Sequence, residues 1–275
     1  MLDHPLYQSI LAEPNADAPR LIMADWLDEM GNPYADFIRA QVALASPETT
    51  VKQASRLLLQ ERALLNQHKD FWMAKVHEVL QRETSLRIGR QNEIREVGFL
   101  RGFIGYIRMR AADWVGTHQR LQQFFPIENL CLIGANTHLR QDRSPELIRN
   151  IRQLSIHSTQ NLRLEDLQPL FERDDLKNLE NIRLVNIQVY PYFADRIIYG
   201  ALNEQTQIVF ENCYMQPSVT SSLTDRFGHR VVFNNQEHVD QWIRANADRP
   251  TVASVVRQQS VGLAQVFRRW VSGRS

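Results

Sequence analysis

The sequence predicts an α/β chain: a solenoid of short strands, headed by an all-helical N-terminal module and closed by C-terminal capping helices. Three observations predict it. Helical spacing fills roughly the first 85 residues, apolar residues recur at fixed offsets through the middle, and a basic amphipathic stretch follows. The recurring sets are Ile104/Ile107/Met109, Ile127/Leu130/Leu132, Ile151/Leu154/Ile156 and Leu179/Ile182/Leu184, with Ile208/Phe210 and Val231/Phe233 repeating the last two positions. Their middle residues follow one another at intervals of about 23 to 28, a period of stacked repeats. Side chains two apart on a strand share a face, so each set needs a neighbouring unit to complete its core. The expected division is a helical module over 1–85, a repeat region over 86–235, and a C-terminal cap with a basic helix over 236–275.

Within the module, residues 5–12 read as a short helix stopped by Pro14. Asn15 to Arg20 then supply capping residues and a proline near a helix start. In the next helix Leu21, Ile22, Ala24, Trp26 and Leu27 are apolar, and Gly31 stands where a left-handed cap would end it. Asn32-Pro33 opens a third helix, which Pro47 breaks. Two further helices are expected, over 51–66 and from Lys69 to about Arg82. Asp25 and Glu29 share a helix face, with Asp28 close by. Paired carboxylates can serve acid–base chemistry or a cation, but the only nearby cations are Arg20 and Arg39, so an ion-paired structural role is expected for Asp25. Trp26 is expected to anchor core.

The run from Arg20 to Pro33, R-L-I-M-A-D-W-L-D-E-M-G-N-P, followed by Phe37-Ile38-Arg39-Ala40-Gln41, closely resembles the repeat-companion domain. That small module is abundant in planctomycete bacteria, often ahead of leucine-rich-repeat-like regions. The stretches Gly98 to Ile104 and Phe125 to Leu130 resemble the segment that joins it to degenerate repeats. The resemblance covers about the first 45 residues and implies an architecture, a helical head on a solenoid. It carries over no catalytic residue.

The L-x-x-L-x-L pattern of the middle region is that of leucine-rich repeats. Returns between strands are expected over Trp114–Phe124, Ser144–Asn150, Leu164–Phe171 and Tyr192–Leu202. The family form has Asn or Cys eight positions after the first apolar residue; here only Cys213 meets that register, so no asparagine ladder is expected. Alternation along the strands turns Arg108, Cys131, Ser155, Arg183 and Val209 outward, with Glu128, Arg152, Glu180 and Gln207 flanking them. This surface is mixed and polar, without the basic stripe that nucleic acid would demand. Arg108, Arg152, Arg183, Glu128 and Glu180 are therefore the expected contacts for a protein or peptide partner.

Composition sets the outer bounds. At 275 residues, 43% hydrophobic and 23% charged, the chain has the make-up of a globular protein with ample core. Mean hydropathy is −0.38, and no apolar run is long enough for a membrane span. The first residues, MLDHPLYQSI, lack a basic segment followed by an apolar one, so no secretory signal is expected and the cytoplasm is the expected compartment. Two cysteines exclude a disulfide framework. The net charge of +1 conceals an asymmetry: residues 1–50 carry eight acids against Arg20 and Arg39, whereas Arg249 onward carries five arginines and no acid.

After the strands, Gln236 to Ala245 reads as a capping helix. From Val252 to Val271 the residues Val252, Val255, Val256, Leu263, Val266, Phe267 and Trp270 keep helical spacing opposite a basic face. That stretch has three readings: packing on the body, docking in a partner's groove, or lying on an anionic membrane surface. Phosphate-loop, zincin, C-x-x-C and G-x-S-x-G motifs are missing. Gly98, Gly102 and Gly105 run into a strand rather than opening a helix, which argues against phosphate cradling. The eight histidines are scattered without metal spacing, and His157 is expected at the surface after a strand. The expectation is thus a non-enzymatic interaction scaffold without catalytic, cofactor or metal residues, the alternative being a peripheral membrane or assembly factor acting through the C-terminal basic helix.

Overall fold

The computed structural model describes residues 4–89, 93–135, 147–158, 162–171, 176, 178–190 and 205–234. It is a mixed α/β structure built around an open, mostly parallel seven-stranded sheet that does not close into a barrel.

Helix α1 (Pro5–Ala12) starts with proline in its first turn, and His4 Nδ1 accepts from the Leu6 amide. Helix α2 (Ala18–Glu29) ends where Gly31 takes a φ of +65°, a conformation glycine adopts without steric cost. Helix α3 (Tyr34–Ala45) follows, its first amide capped by Asn32 Oδ1 at 3.0 Å. Thr50 and Gln53 form a capping box that opens α4, which runs unbroken from Val51 to Thr84. The two helices expected over 51–66 and 69–82 are therefore one. The junction between them, Gln67-His68, has neither proline nor glycine to stop the helix.

Strand β1 (Ile94–Leu100) pairs antiparallel with β2 (Phe103–Arg110) through a two-residue turn. Arg101 and Gly102 both have positive φ, as the primed hairpin turns require. After helix α5 (Ala111–Phe124) come β3 (Asn129–Ala135) and β4 (Gln153–Ser158). A 3₁₀ turn (Leu164–Leu167) leads into the single helical turn α6 (Gln168–Phe171). Then follow β5 (Asn181–Val185), β6 (Gln188–Val189), β7 (Gln207–Glu211), β8 (Tyr214–Met215), α7 (Pro217–Phe227) and β9 (Val231–Phe233). The sheet order is β1-β2-β3-β4-β5-β7-β9, parallel from β2 onward, while β6 and β8 pair separately.

The expected marker residues stand side by side. Ile107, Leu130, Leu154, Ile182, Ile208 and Val231 are register partners across six strands. All are buried, as are Met109, Leu132, Ile156, Leu184 and Phe210 in the parallel row. The described returns complete this core with Trp114 and Leu121 of α5, Leu147, Ile148, Leu164, Leu167, and Val219, Leu223 and Phe227 of α7. Trp114 also donates through Nε1 to the Leu147 carbonyl at 3.1 Å. The expected returns at Trp114–Phe124 and Leu164–Phe171 coincide with α5 and with the turn leading into α6; the return on α7 and the strand β1 were not anticipated. Tyr192–Leu202, the capping helix 236–245 and the amphipathic stretch 252–271 lie outside the described residues.

A second, smaller core gathers Tyr7, Ile10, Met23, Leu27, Phe37, Ile38 and Trp72 with Phe103 of β2. Trp72 packs edge-on to Tyr34 at 4.7 Å. One turn further along α4, Val76 and Leu80 belong to the sheet core, so a single helix serves both. Leu21 and Ile22, expected as apolar helix residues, face outward, and Arg20 occupies the buried position.

Candidate functional site

Along each parallel strand alternate residues leave the core side, and the common register aligns them into rows. One row runs Arg108, Cys131, Ser155, Arg183, Val209. These are the five positions expected to turn outward. Except for buried Cys131, they are half-buried. The next row places His157 and Glu211 on the same face, with Tyr106 on the other side of Arg108. Glu96 of β1 stands opposite Arg108.

These side chains interlock. Arg183 forms an ion pair with Glu211. Ser155 Oγ lies 2.8 Å from His157 Nε2. Burial, aided by the positive fields of Arg108 and Arg183, pushes the His157 imidazole down to about 4. Burial also pushes the Cys131 thiol up, against the pull of Arg108. The Tyr106 phenol is raised in the same way. The Ser155–His157 pair has the spacing of a nucleophile and its base, yet an imidazole flanked by two guanidinium groups is a poor proton acceptor. A buried, protonated Cys131 is equally unreactive. What this face offers is hydrogen bonding and fixed charge.

The flanking residues part company. Arg152 binds Glu180 through Nε at 2.8 Å on the exposed rim, as an outward pair should. Glu128 does not belong to that surface: it is only 3% exposed. Its carboxylate accepts from Arg20 at 2.8 Å and from Arg101, while Arg152 stands 3.8 Å away. Arg101 reaches on to Asp17 at 2.8 Å and, like Arg20, donates to the Pro14 carbonyl. Burial raises the Glu128 carboxyl, against the opposing pull of the two guanidinium groups, and lowers Arg20 to about 10. The partner-contact expectation for Glu128 is corrected accordingly. The cations that claim it come from α2 and the β1–β2 turn, and a strand-based alternation says nothing of either.

Two other expected roles take shape in the helical module. Asp25 pairs with Arg39 at 2.8 Å, and Asp28 joins the same guanidinium at 3.0 Å. Trp26 is half-buried against the smaller core, its ring 4.1 Å from that of His4. Cys213 donates from Sγ to the Leu184 carbonyl at 3.2 Å. His157, expected at the surface after a strand, is instead half-buried within β4; Tyr106 and Glu211 were not singled out as face residues, although they lie two positions from Arg108 and Val209. That offset was the available signal.

Among the described residues no three His, Cys, Asp or Glu side chains come together as a metal ligand set. No described helix is long and apolar enough to cross a membrane. No family model, curated protein or solved structure matches the chain.

Proposed function

We propose that this chain is a non-enzymatic interaction scaffold: a degenerate leucine-rich-repeat-like solenoid headed by a module of the repeat-companion type. In this reading the Arg108–Cys131–Ser155–Arg183–Val209 row receives a protein or peptide partner, with Arg152 and Glu180 at its rim. The observation that carries the reading is the shared register. Six strands align the same alternation, and the described returns contribute to the core on one face while the opposite face keeps half-buried polar side chains. Such faces hold extended or irregular partner segments by distributed hydrogen bonds and ion pairs. The surface is mixed in sign: Arg183 stands with Glu211, Arg152 with Glu180, and Arg108 opposite Glu96. That balance favours a polar polypeptide over nucleic acid.

The test is affinity purification from the native cell with the full chain and with Arg108→Glu/Arg152→Glu/Arg183→Glu. Co-purifying partners should fall at least about tenfold for the variant, equivalent to ~1.4 kcal/mol. Equal recovery, with the variant's circular dichroism unchanged, removes this surface from the reading.

A further inference from the structure

The outer side of α2 carries a combination that the sheet face lacks. Arg20, Met23, Ala24 and Leu27 turn inward. On the other side Leu21 is 39% and Ile22 53% exposed, and Met30, just beyond the helix, is 54% exposed. Ile22, Trp26 and Met30 are four apart and form one ridge. Asp25, Asp28 and Glu29 are exposed beside it. Arg39 binds Asp25 and Asp28 and stands 3.9 Å from Asp36, so one guanidinium faces a predominantly acidic surface. An apolar ridge bordered by acids complements a segment that is apolar on one side and basic on the other.

The chain contains such a segment. From Arg249 to Ser275 it holds five arginines and no acid, and its apolar residues from Val252 to Trp270 keep helical spacing. We propose that the outer face of α2 is the docking site for residues 249–275 of the same molecule. The connection is long enough. Residues 235–248 follow the last described residue, Asn234. Fully extended, they span about 46 to 50 Å. Arg20 of α2 bonds Glu128, which immediately precedes β3, and β3 lies four strands from β9. Four strand spacings (~19 Å) and the five-residue offset along the parallel strands (~17 Å) make roughly 25 Å on the diagonal, and the width of a helix adds ~10 Å. Docking would cover Ile22 and Met30 and bring Arg269, which flanks the apolar stripe, beside Asp25, Asp28 and Glu29. The same basic segment suits an anionic bilayer, but the acidic, apolar α2 surface favours the intramolecular site.

Amide hydrogen exchange on the full-length chain at low salt tests this. Residues 252–271 should exchange at least about tenfold more slowly than an unstructured segment. In Ile22→Ser/Glu29→Arg that protection should vanish while the sheet amides keep theirs. Glu29→Arg combined with Arg269→Glu should recover it through exchanged charges. The proposal is overturned by fast exchange in the wild type or by protection that survives Ile22→Ser/Glu29→Arg. It is equally overturned by protection that grows with protein concentration, which would place the segment on a second copy. Protection seen only with vesicles containing anionic phospholipid would assign the segment to a membrane surface instead.

Discussion

His157 lies on the face opposite the sheet core, within the positive fields of Arg108 and Arg183 and with Ser155 Oγ at 2.8 Å. Its folded-state value of about 4 lies below its ordinary 6.5, so folding favours the neutral ring. The sign follows directly. Above pH 6.5 the ring is neutral in both folded and unfolded chains and costs nothing. As the pH falls from 6.5 towards 4, only the unfolded chain gains the proton and stability drops; below 4 this residue causes no further loss. Allowing for partial exposure, the loss is about 2 kcal/mol. Urea unfolding of wild type and His157→Gln at pH 7 and pH 4.5 should show a gap that changes by that amount, whereas parallel curves would mean that the imidazole titrates normally. At this scale the pairing of Asp25 was legible, because the acids and Arg39 stand close together in one short motif. Glu128 was not: its partners Arg20 and Arg101 lie 108 and 27 positions away.

Among the elements, the β1–β2 hairpin shows how tightly the module and the sheet approach. Gly102 has a φ of +90°, and a Cβ there would lie 2.5 Å from Ile38 Cγ1 and 2.9 Å from Ile38 Cα. Its amide donates to Gln41 Oε1 at 2.7 Å and its carbonyl accepts from Tyr34 Oη at 2.5 Å. The turn backbone is thus pressed on α3, where only hydrogen fits. Gly102→Ala should cost about 3 kcal/mol through backbone strain together with overpacking. A lower urea midpoint at unchanged slope would register it, and a midpoint within experimental error of wild type would refute the close approach. In the sequence, the Gly98, Gly102 and Gly105 series could be weighed only as a phosphate loop. Its use as a site of helix–turn contact depends on Tyr34, Ile38 and Gln41, far upstream. Helix α4 makes the converse point: helical spacing was clear through both halves, but their continuity was not, because no residue marks the absence of a break.

Across the whole molecule, a long helix and a buried ion cluster join the hairpin contact in coupling the helical head to the sheet. Helix α4 supplies Trp72 to one core and Val76 and Leu80 to the other. The second link is polar: Glu128 binds Arg20 of α2 and Arg101 of the hairpin turn, and its backbone carbonyl accepts from the Arg152 and Gln153 amides as β4 begins. Such a buried cluster is costly to assemble and costlier to break, because removing the carboxylate strands two guanidinium groups away from water. Glu128→Ala should lower stability by about 3 to 5 kcal/mol. Near-wild-type stability in calorimetry would mean that water replaces the carboxylate freely.

By itself the amino-acid sequence determined the rung spacing, the alternation along each strand and the approximate limits of the first three helices. These are local properties, set by which residue types recur within a few positions and by the sterics of glycine and proline. The parallel alignment of Ile107, Leu130, Leu154, Ile182 and Ile208 could be anticipated from them, since each apolar edge needs an equal neighbour. Only the tertiary structure decided which charged side chains stay on the surface. Glu128 and Arg20 sit in apolar or polar surroundings according to what other segments bring beside them, and the energy of a charge depends on that environment more than on its neighbours in the chain.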